Sequence, residues 1–190
     1  MNAITYKEVF SYIKNNKLWL GVTNFNTGMY FYVPSNFVYA DTYKFEKELD
    51  GKKVNRVPGV CWFTNIEHGR RHQPLELMTM QDNIKFNKKL KAPKYPKYVN
   101  FDGIDVQTTT AIPSDFDGAI GVPITFLNKY CPEQFEILGS SLELAQKMST
   151  IKKVNEGSYS KGGNALYIEE KNGKYLYKRL FPRILIKKIN

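Results

Sequence analysis

The opening residues place apolar side chains at helical spacing. Beyond them the apolar positions fall into short runs of strand length. Ile4, Val9, Phe10 and Ile13 share one helical face, Thr5 and Glu8 have the spacing of a capping box, and Asn15 with Asn16 supplies a stop. Lys17-Leu-Trp-Leu-Gly-Val22 is a short apolar run suited to a buried strand. A turn at Asn24 to Gly28 leads to Met29–Val33, a returning strand halted by Pro34. Residues 35–57 are polar and charged and read as a surface excursion around Asp50-Gly51. Gly59-Val-Cys-Trp-Phe-Thr64 is the strongest strand signal in the chain.

The second half continues in short pieces. Residues 81–98 read as a loop, because Pro93 and Pro96 oppose any regular element. Phe101–Val106, Gly118–Val122 and Phe135–Gly139 are predicted strands, and Leu142–Met148 is a predicted short helix. Ser158–Asn164 is rich in glycine and serine and reads as a mobile link. Leu166–Glu170 and Tyr175–Lys178 form a predicted hairpin around Asn172-Gly173, and Arg183–Lys188 is a last strand. A helix feeding a buried strand is the tail of an α/β crossover pattern, so the fold reads as α/β and as entered midway.

Charge adds the first functional clue. The 190 residues carry 28 Lys and Arg against 18 Asp and Glu, a net charge of +10. Such an excess fits an anionic partner, nucleic acid before an anionic membrane, and it equally fits a lysine-rich composition with no partner behind it. With 13 Tyr and 12 Phe the chain is also rich in residues that suit pleated surfaces. Two cysteines, Cys61 and Cys131, make neither a disulfide framework nor a four-ligand zinc site, and Cys131 before Pro132 is expected at the surface. No run reaches the length of a membrane span, and a soluble, cytoplasmic protein is expected.

Candidate chemistry centres on Glu67-His-Gly-Arg-Arg-His72. His68 and His72 have the spacing of two metal ligands on one helical face, but Gly69 and Pro74 argue against a helix, and no metal site is expected. Read as a turn behind a strong strand, the segment offers Arg70, Arg71 and His72 to phosphates or a guanine edge; a solvated basic turn is the alternative. Lys85, Lys88 and Lys89, with Lys91, Lys94 and Lys97, alternate with Phe86, Tyr95 and Tyr98, which suits phosphate tracking and base stacking as well as it suits a solvated loop. Asp115 and Asp117 have the spacing of paired carboxylates, yet beside Gly118 a turn before a strand explains them better. No glycine-rich loop runs from a strand into a helix, so no cofactor-binding or catalytic residue is assigned.

Several blocks carry a family likeness: Asn2-Ala-Ile-Thr-Tyr-Lys-Glu8, Leu18-Trp-Leu-Gly21, Cys61-Trp-Phe-Thr-Asn65, His68-Gly-Arg-Arg-His72, Ile112-Pro-Ser-Asp-Phe-Asp-Gly118, Gly121-Val-Pro-Ile-Thr-Phe126, Pro132-Glu-Gln-Phe-Glu-Ile137 and Arg183-Ile-Leu-Ile186. In this order they resemble the C-terminal half of the EcoRI-like adenine-specific DNA methyltransferases. The resemblance implies the C-terminal part of a class I, Rossmann-like methyltransferase sheet in residues 1–66, with 17–22 and 59–64 as its sixth and antiparallel seventh strands. It implies a strand-rich, DNA-facing region in residues 67–190. It further implies double-stranded DNA as partner and S-adenosylmethionine as the family's cofactor. The family's glycine loop and its Asn-Pro-Pro-Phe-type tetrapeptide, which grips a flipped adenine, have no counterpart among these residues. The chain is therefore expected to bind no cofactor alone and to work within a complete enzyme or with a separate N-terminal methyltransferase half. Two rival readings stand beside this one: a stand-alone DNA-binding accessory protein, and an unrelated enzyme using His72 with Asp115 or Asp117.

Overall fold

The computed structural model describes residues 6–23, 28–90, 95–151 and 154–189. Ile4 of the expected helical face, Thr5 of the expected capping box, Asn24 to Thr27 of the expected turn, and Lys91 to Lys94 of the expected loop lie outside them.

Helix α1 (Lys7–Lys14) buries Phe10 and Ile13 and ends at Asn15, with Asn16 in the left-handed region at φ 53°. The asparagine pair is thus the predicted stop, since Asn tolerates that conformation better than most residues. Strand β1 (Trp19–Leu20) follows and pairs antiparallel with β5 (Phe63–Thr64), Trp19 opposite Thr64 and Leu20 opposite Phe63. The two segments are neighbours of the expected sense but shorter than expected. Most of Gly59–Thr64 is not strand, despite its strong apolar signal.

Between β1 and β5 lies a three-stranded antiparallel sheet of β2 (Met29–Tyr32), β3 (Glu48–Leu49) and β4 (Lys52–Val57), in the order β2-β4-β3. This corrects two expectations. Met29–Tyr32 pairs with Lys52–Val57, not with the first strand, and residues 35–57 are not merely a polar excursion. Asp50 and Gly51, at φ 50° and 70°, form the tight turn between β3 and β4, where two positive φ values suit the twist of a hairpin. The polarity of β4 hid it, because only Val54 of its side chains is buried.

The main sheet comprises β6 (Ile104–Asp105), β7 (Ile120–Val122), β8 (Phe135–Ser140) and β11 (Ile184–Lys188), in the order β6-β7-β11-β8. The β6–β7 pair is parallel and the others antiparallel. Strand β11 explains the apolar run Ile184-Leu-Ile186: it is central and buried on both faces. Ile184 and Ile186 join Phe10, Ile13, Leu20, Ile120, Phe126 and Phe135 in the largest core cluster, while Leu185 turns to the other face and meets Tyr98, Leu166 and Ile168. That second face is covered by the hairpin of β9 (Tyr167–Glu169) and β10 (Tyr177–Arg179), paired antiparallel as predicted around Asn172-Gly173. The architecture is mixed α/β.

Two further helices are short. Met80–Phe86 is a helix, α2, in a stretch expected to be a loop. Thr79 caps it, accepting from the Asp82 amide at 3.1 Å, and Asp115 accepts from the Met80 amide at 2.7 Å. The prolines lie beyond its end, so they never opposed it. Ser141–Leu144 forms α3, covering only the start of the expected helix Leu142–Met148; residues 145–147 are irregular, and a separate 3-10 turn spans Met148–Thr150.

Polar links fasten the layers. The buried Asn100 amide donates to the carbonyls of Gln146 and Ala165, both at 2.7 Å, and its oxygen accepts from the Tyr167 amide at 3.0 Å. The buried Asp105 carboxylate accepts at one oxygen from Arg183 Nε at 2.8 Å and from the Tyr98 hydroxyl at 2.9 Å. Burial, then the neighbouring carboxylate, holds the Tyr98 hydroxyl well above its ordinary pKa, so it remains a donor.

Arg183→Met would strand the Asp105 charge in the interior and should cost about 3–5 kcal/mol in denaturant unfolding. Gly121→Ala should also destabilise the fold, because a Cβ there would lie 2.8 Å from Tyr98 Cζ and push that ring off Asp105. A Gly121→Ala protein as stable as the parent would show that Tyr98 is not held in place.

Candidate nucleic-acid interface

The basic segment predicted to be a turn is a 3-10 turn, Gly69–His72, set against β1. Its side chains have unlike fates. Arg71 is only 8% exposed. Its guanidinium lies 3.7 Å from the centre of the Trp19 ring, donates to Glu67 at 3.0 Å and reaches Asn16 Oδ1 at 3.4 Å. The Tyr130 hydroxyl donates to that same asparagine oxygen at 3.0 Å. Arg71 is thus built into the junction of α1, β1 and the turn, and its planar cation does the packing work of an aromatic ring. Arg70 is half-buried and donates to the carbonyls of Val22 and Asn128. It braces the point where the chain leaves β1.

His72 is exposed and sits between two carboxylates, Glu133 at 2.7 Å from Nδ1 and Glu67 at 2.9 Å from Nε2. Ionised carboxylates only accept, so both ring nitrogens must donate, which is the imidazolium form. Hydrogen bonds to Glu67 and then Glu133 raise the His72 pKa above its ordinary 6.5. Glu133 is lowered to about 2 by the thiol of Cys131 and by His72. Cys131, expected at the surface, is 1% exposed. His68 lies apart from His72, with Nε2 3.0 Å from the Leu20 carbonyl. Among the described residues no three His, Cys, Asp or Glu side chains are grouped to hold a metal ion.

The lysines split between helix and loop. Lys85 ends α2, with its ammonium 5.0 Å over the exposed Phe86 ring, and Lys88 and Lys89 follow in the turn beyond; all three side chains are exposed. Their helix was missed, although Thr79-x-x-Asp82 is an N-terminal capping signal that could have found it. Asp115 is occupied as the second cap of α2, while Asp117 is exposed with Lys188 at 3.5 Å. The two do not converge on one another or on His72 as reacting groups.

The glycine-rich stretch borders a cavity of about 280 Å³, lined by Lys147, Met148, Tyr159, Gly162, Gly163 and Tyr167 among others. Its chemistry does not fit a nucleotide-type cofactor. Gly162 and Gly163 lead into strand β9, so no helix N-terminus faces the cavity from them, and Glu156 is paired with Lys161 at 2.7 Å.

The profile of the adenine-specific methyltransferase EcoRI family matches residues 1–189. The chain belongs to this family. Among curated proteins it is 43% identical over 140 residues to the Type II methyltransferase M.EcoRI of Escherichia coli, covering 73% of this chain and 40% of that protein. It is 35% identical over 187 residues to M.MpnI of Mycoplasma pneumoniae, covering 97% and 53% of the two chains. To M.MgeORF184P of Mycoplasma genitalium it is 34% identical over 192 residues, covering 98% and 54%. The chain thus spans about half the length of the EcoRI-family relatives it matches. No solved structure matches it.

Two measurements check this geometry. His72 should titrate by NMR with a midpoint above 6.5, and Glu133→Gln or Glu67→Gln should lower that midpoint. The sign follows from the raised value: the His72 contribution is full below the ordinary pKa and is lost as pH rises through the folded one. The Glu133 contribution is present above the ordinary 4.5 and is lost as pH falls towards about 2. A His72 midpoint at or below 6.5 would dissolve the clamp. Arg71→Ala should lower stability by about 2–3 kcal/mol, the loss of a desolvated cation–π contact and a charged hydrogen bond. Unchanged melting would refute its packing role.

Proposed function

We propose that this chain forms the C-terminal, DNA-facing part of an S-adenosylmethionine-dependent adenine DNA methyltransferase of a restriction-modification system. The observation that carries this reading is family membership along residues 1–189, with relatives about twice as long whose names are those of Type II methyltransferases. The roles follow from what the residues supply. Strands β1 and β5, with α1, would complete one end of a Rossmann-like methyltransferase sheet, formed in part by residues 1–66 of this chain. Residues 67–190 would present the DNA-facing surface.

Duplex DNA is the partner that the charge of +10 suits, because each phosphate neutralised by Lys or Arg releases a counterion. Lys85, Lys88 and Lys89 are the exposed cations proposed to meet phosphates. Arg70 is proposed to touch DNA where its half-buried guanidinium reaches the surface. Arg71 and His72 act by positioning that turn: one is packed beneath Trp19, the other held between two carboxylates. No step of methyl transfer is assigned to residues of this chain. The cofactor loop and the adenine-gripping tetrapeptide would come from the N-terminal half of the enzyme, in the same polypeptide or in a separate one.

Purified chain mixed with duplex DNA and labelled S-adenosylmethionine should transfer no label, and label should appear when a polypeptide carrying the missing motifs is added. Transfer by the chain alone, free of host methylases, would overturn the division of labour. In a binding titration the chain should hold duplex DNA weakly, with affinity falling steeply between low and moderate salt. Binding absent even at low salt would refute the DNA-facing role.

A further inference from the structure

Among the described residues the sheet β2-β4-β3 has no share in the three hydrophobic clusters; none of them includes a residue between 28 and 57. It is held by its own rings instead. Phe37, Tyr39, Tyr43 and Phe45 contact one another in sequence at centroid distances of 5.2, 4.8 and 5.6 Å. Lys47 and Lys53 lie 5.1 and 5.4 Å over Tyr39, and the Tyr39 hydroxyl donates to the carbonyls of Lys47 and Val54. Both ends of this unit leave from one place, because β1 and β5 are paired neighbours and the Gly21 amide donates to the Trp62 carbonyl at 2.8 Å. Arg70 is anchored to Val22 at that base. The unit is therefore an insertion projecting from two adjacent strands of the core, a placement typical of binding elements on a rigid scaffold.

One face of this insertion carries a consistent chemistry. Tyr30 pairs with Arg56, Tyr32 with Val54, and Leu49 with Lys52, so the pleat sets Tyr30, Tyr32, Leu49 and Lys52 on the same side as the buried Val54 and as Arg56, whose guanidinium lies 4.3 Å from the centre of the Phe45 ring. The charged members of that face are both cations, and Glu48, paired with Lys53, belongs to the other side. Tyr32 is 63% exposed and Tyr30 39%. Among the described residues neither tyrosine hydroxyl is hydrogen-bonded and Lys52 has no carboxylate partner, while its ammonium lies 5.1 Å over the Tyr32 ring.

We propose that duplex DNA lies against this face, with the Tyr30 and Tyr32 hydroxyls and the Lys52 ammonium on consecutive phosphates. The proposal rests on the DNA-facing reading above and names a surface that reading did not contain. Tyrosine hydroxyls and lysine ammoniums are ordinary phosphate donors. Charge favours DNA over a protein partner: tyrosine and arginine suit both, but lysine is depleted in the centre of protein interfaces, and here a lysine rides on the most exposed ring of a face whose charges are all positive.

The test is fluorescence anisotropy of a short labelled duplex with the full chain and its variants, over a range of salt. Lys52→Gln should reduce the dependence of log affinity on log salt by about one, the signature of one lost phosphate contact. Tyr32→Ala should weaken binding about fivefold or more with the salt dependence nearly unchanged, and Tyr32→Phe should reproduce most of that loss while keeping the ring. Tyr32→Phe keeps the ring, and the melting of each variant, measured beside its binding, separates contact from folding. A parent chain that binds DNA, with the Lys52→Gln and Tyr32→Phe double variant binding as tightly at every salt, would overturn this surface and leave the DNA-facing reading standing. A parent chain that does not bind duplex DNA would overturn both. A double variant that keeps its DNA affinity but no longer joins the complementary methyltransferase half would show a protein-docking face instead.

Discussion

A single buried carboxylate fixes how the two faces of the main sheet are assembled. Asp105 is 2% exposed, and one of its oxygens takes both the Arg183 guanidinium and the Tyr98 hydroxyl. A charge so placed is tolerable only with its partners in position. That requirement ties β6, which carries Asp105, to the start of β11, which follows Arg183, and to the strap around Tyr98 on the opposite face. Gly121 on β7, between β6 and β11, leaves the Tyr98 ring the space it occupies. Apolar burial supplies the driving force of the core, but it is non-directional. The carboxylate is what makes one register of β6, β7 and β11 better than its alternatives.

From that register the basic turn inherits its position. Strand β11 fixes β8, and the residues leading into β8 reach back to the segment after the turn. Gln134 binds both the amide and the carbonyl of Leu75, at 2.7 and 2.8 Å, and Glu133 holds His72. Arg71 closes the circuit through Asn16 and Trp19 to α1 and β1. The segment from Glu67 to Leu75 is therefore suspended between the first and last parts of the chain. A turn held this way costs little further ordering when a ligand arrives, which is the condition for a positioned contact surface.

The elements legible in the sequence were those whose burial matched their hydrophobicity. Ile184-Leu-Ile186, the Asn172-Gly173 hairpin and the Asn15-Asn16 stop all stand where they were expected. The misreadings have one physical source: local apolar character does not say what it packs against. Gly59–Thr64 is apolar yet mostly irregular, with Trp62 59% exposed. Lys52–Val57 is polar yet forms the central strand of a sheet, because that sheet rests on its own aromatic ladder and not on the core. Helix α2 was obscured by prolines beyond its end, although Thr79 and Asp82 marked its start. At the candidate interface the residue types were legible but their depth was not. Nothing in His68-Gly-Arg-Arg-His72 distinguishes the arginine that lies under a tryptophan from the one that braces a loop, since both roles depend on Trp19 and Asn128, far away in sequence.

The separation of the insertion from the core has a consequence for how the molecule can bind. Residues 28–57 are joined to the main fold through β1 and β5, a pair only two residues long on each side, and share no apolar cluster with it. Local stability there comes from ring contacts and cations over rings, each worth on the order of 1 kcal/mol. Such a unit can tilt about its base at far lower cost than any strand of the main sheet can move. Its base is braced by Arg70 through Val22, so the brace and the proposed contact face are mechanically linked. A polyanion seated on the tyrosine face would pull on the same junction that Arg71 and Trp19 stiffen. In the proposed complex the turn would fix position and the sheet would conform to the partner's shape.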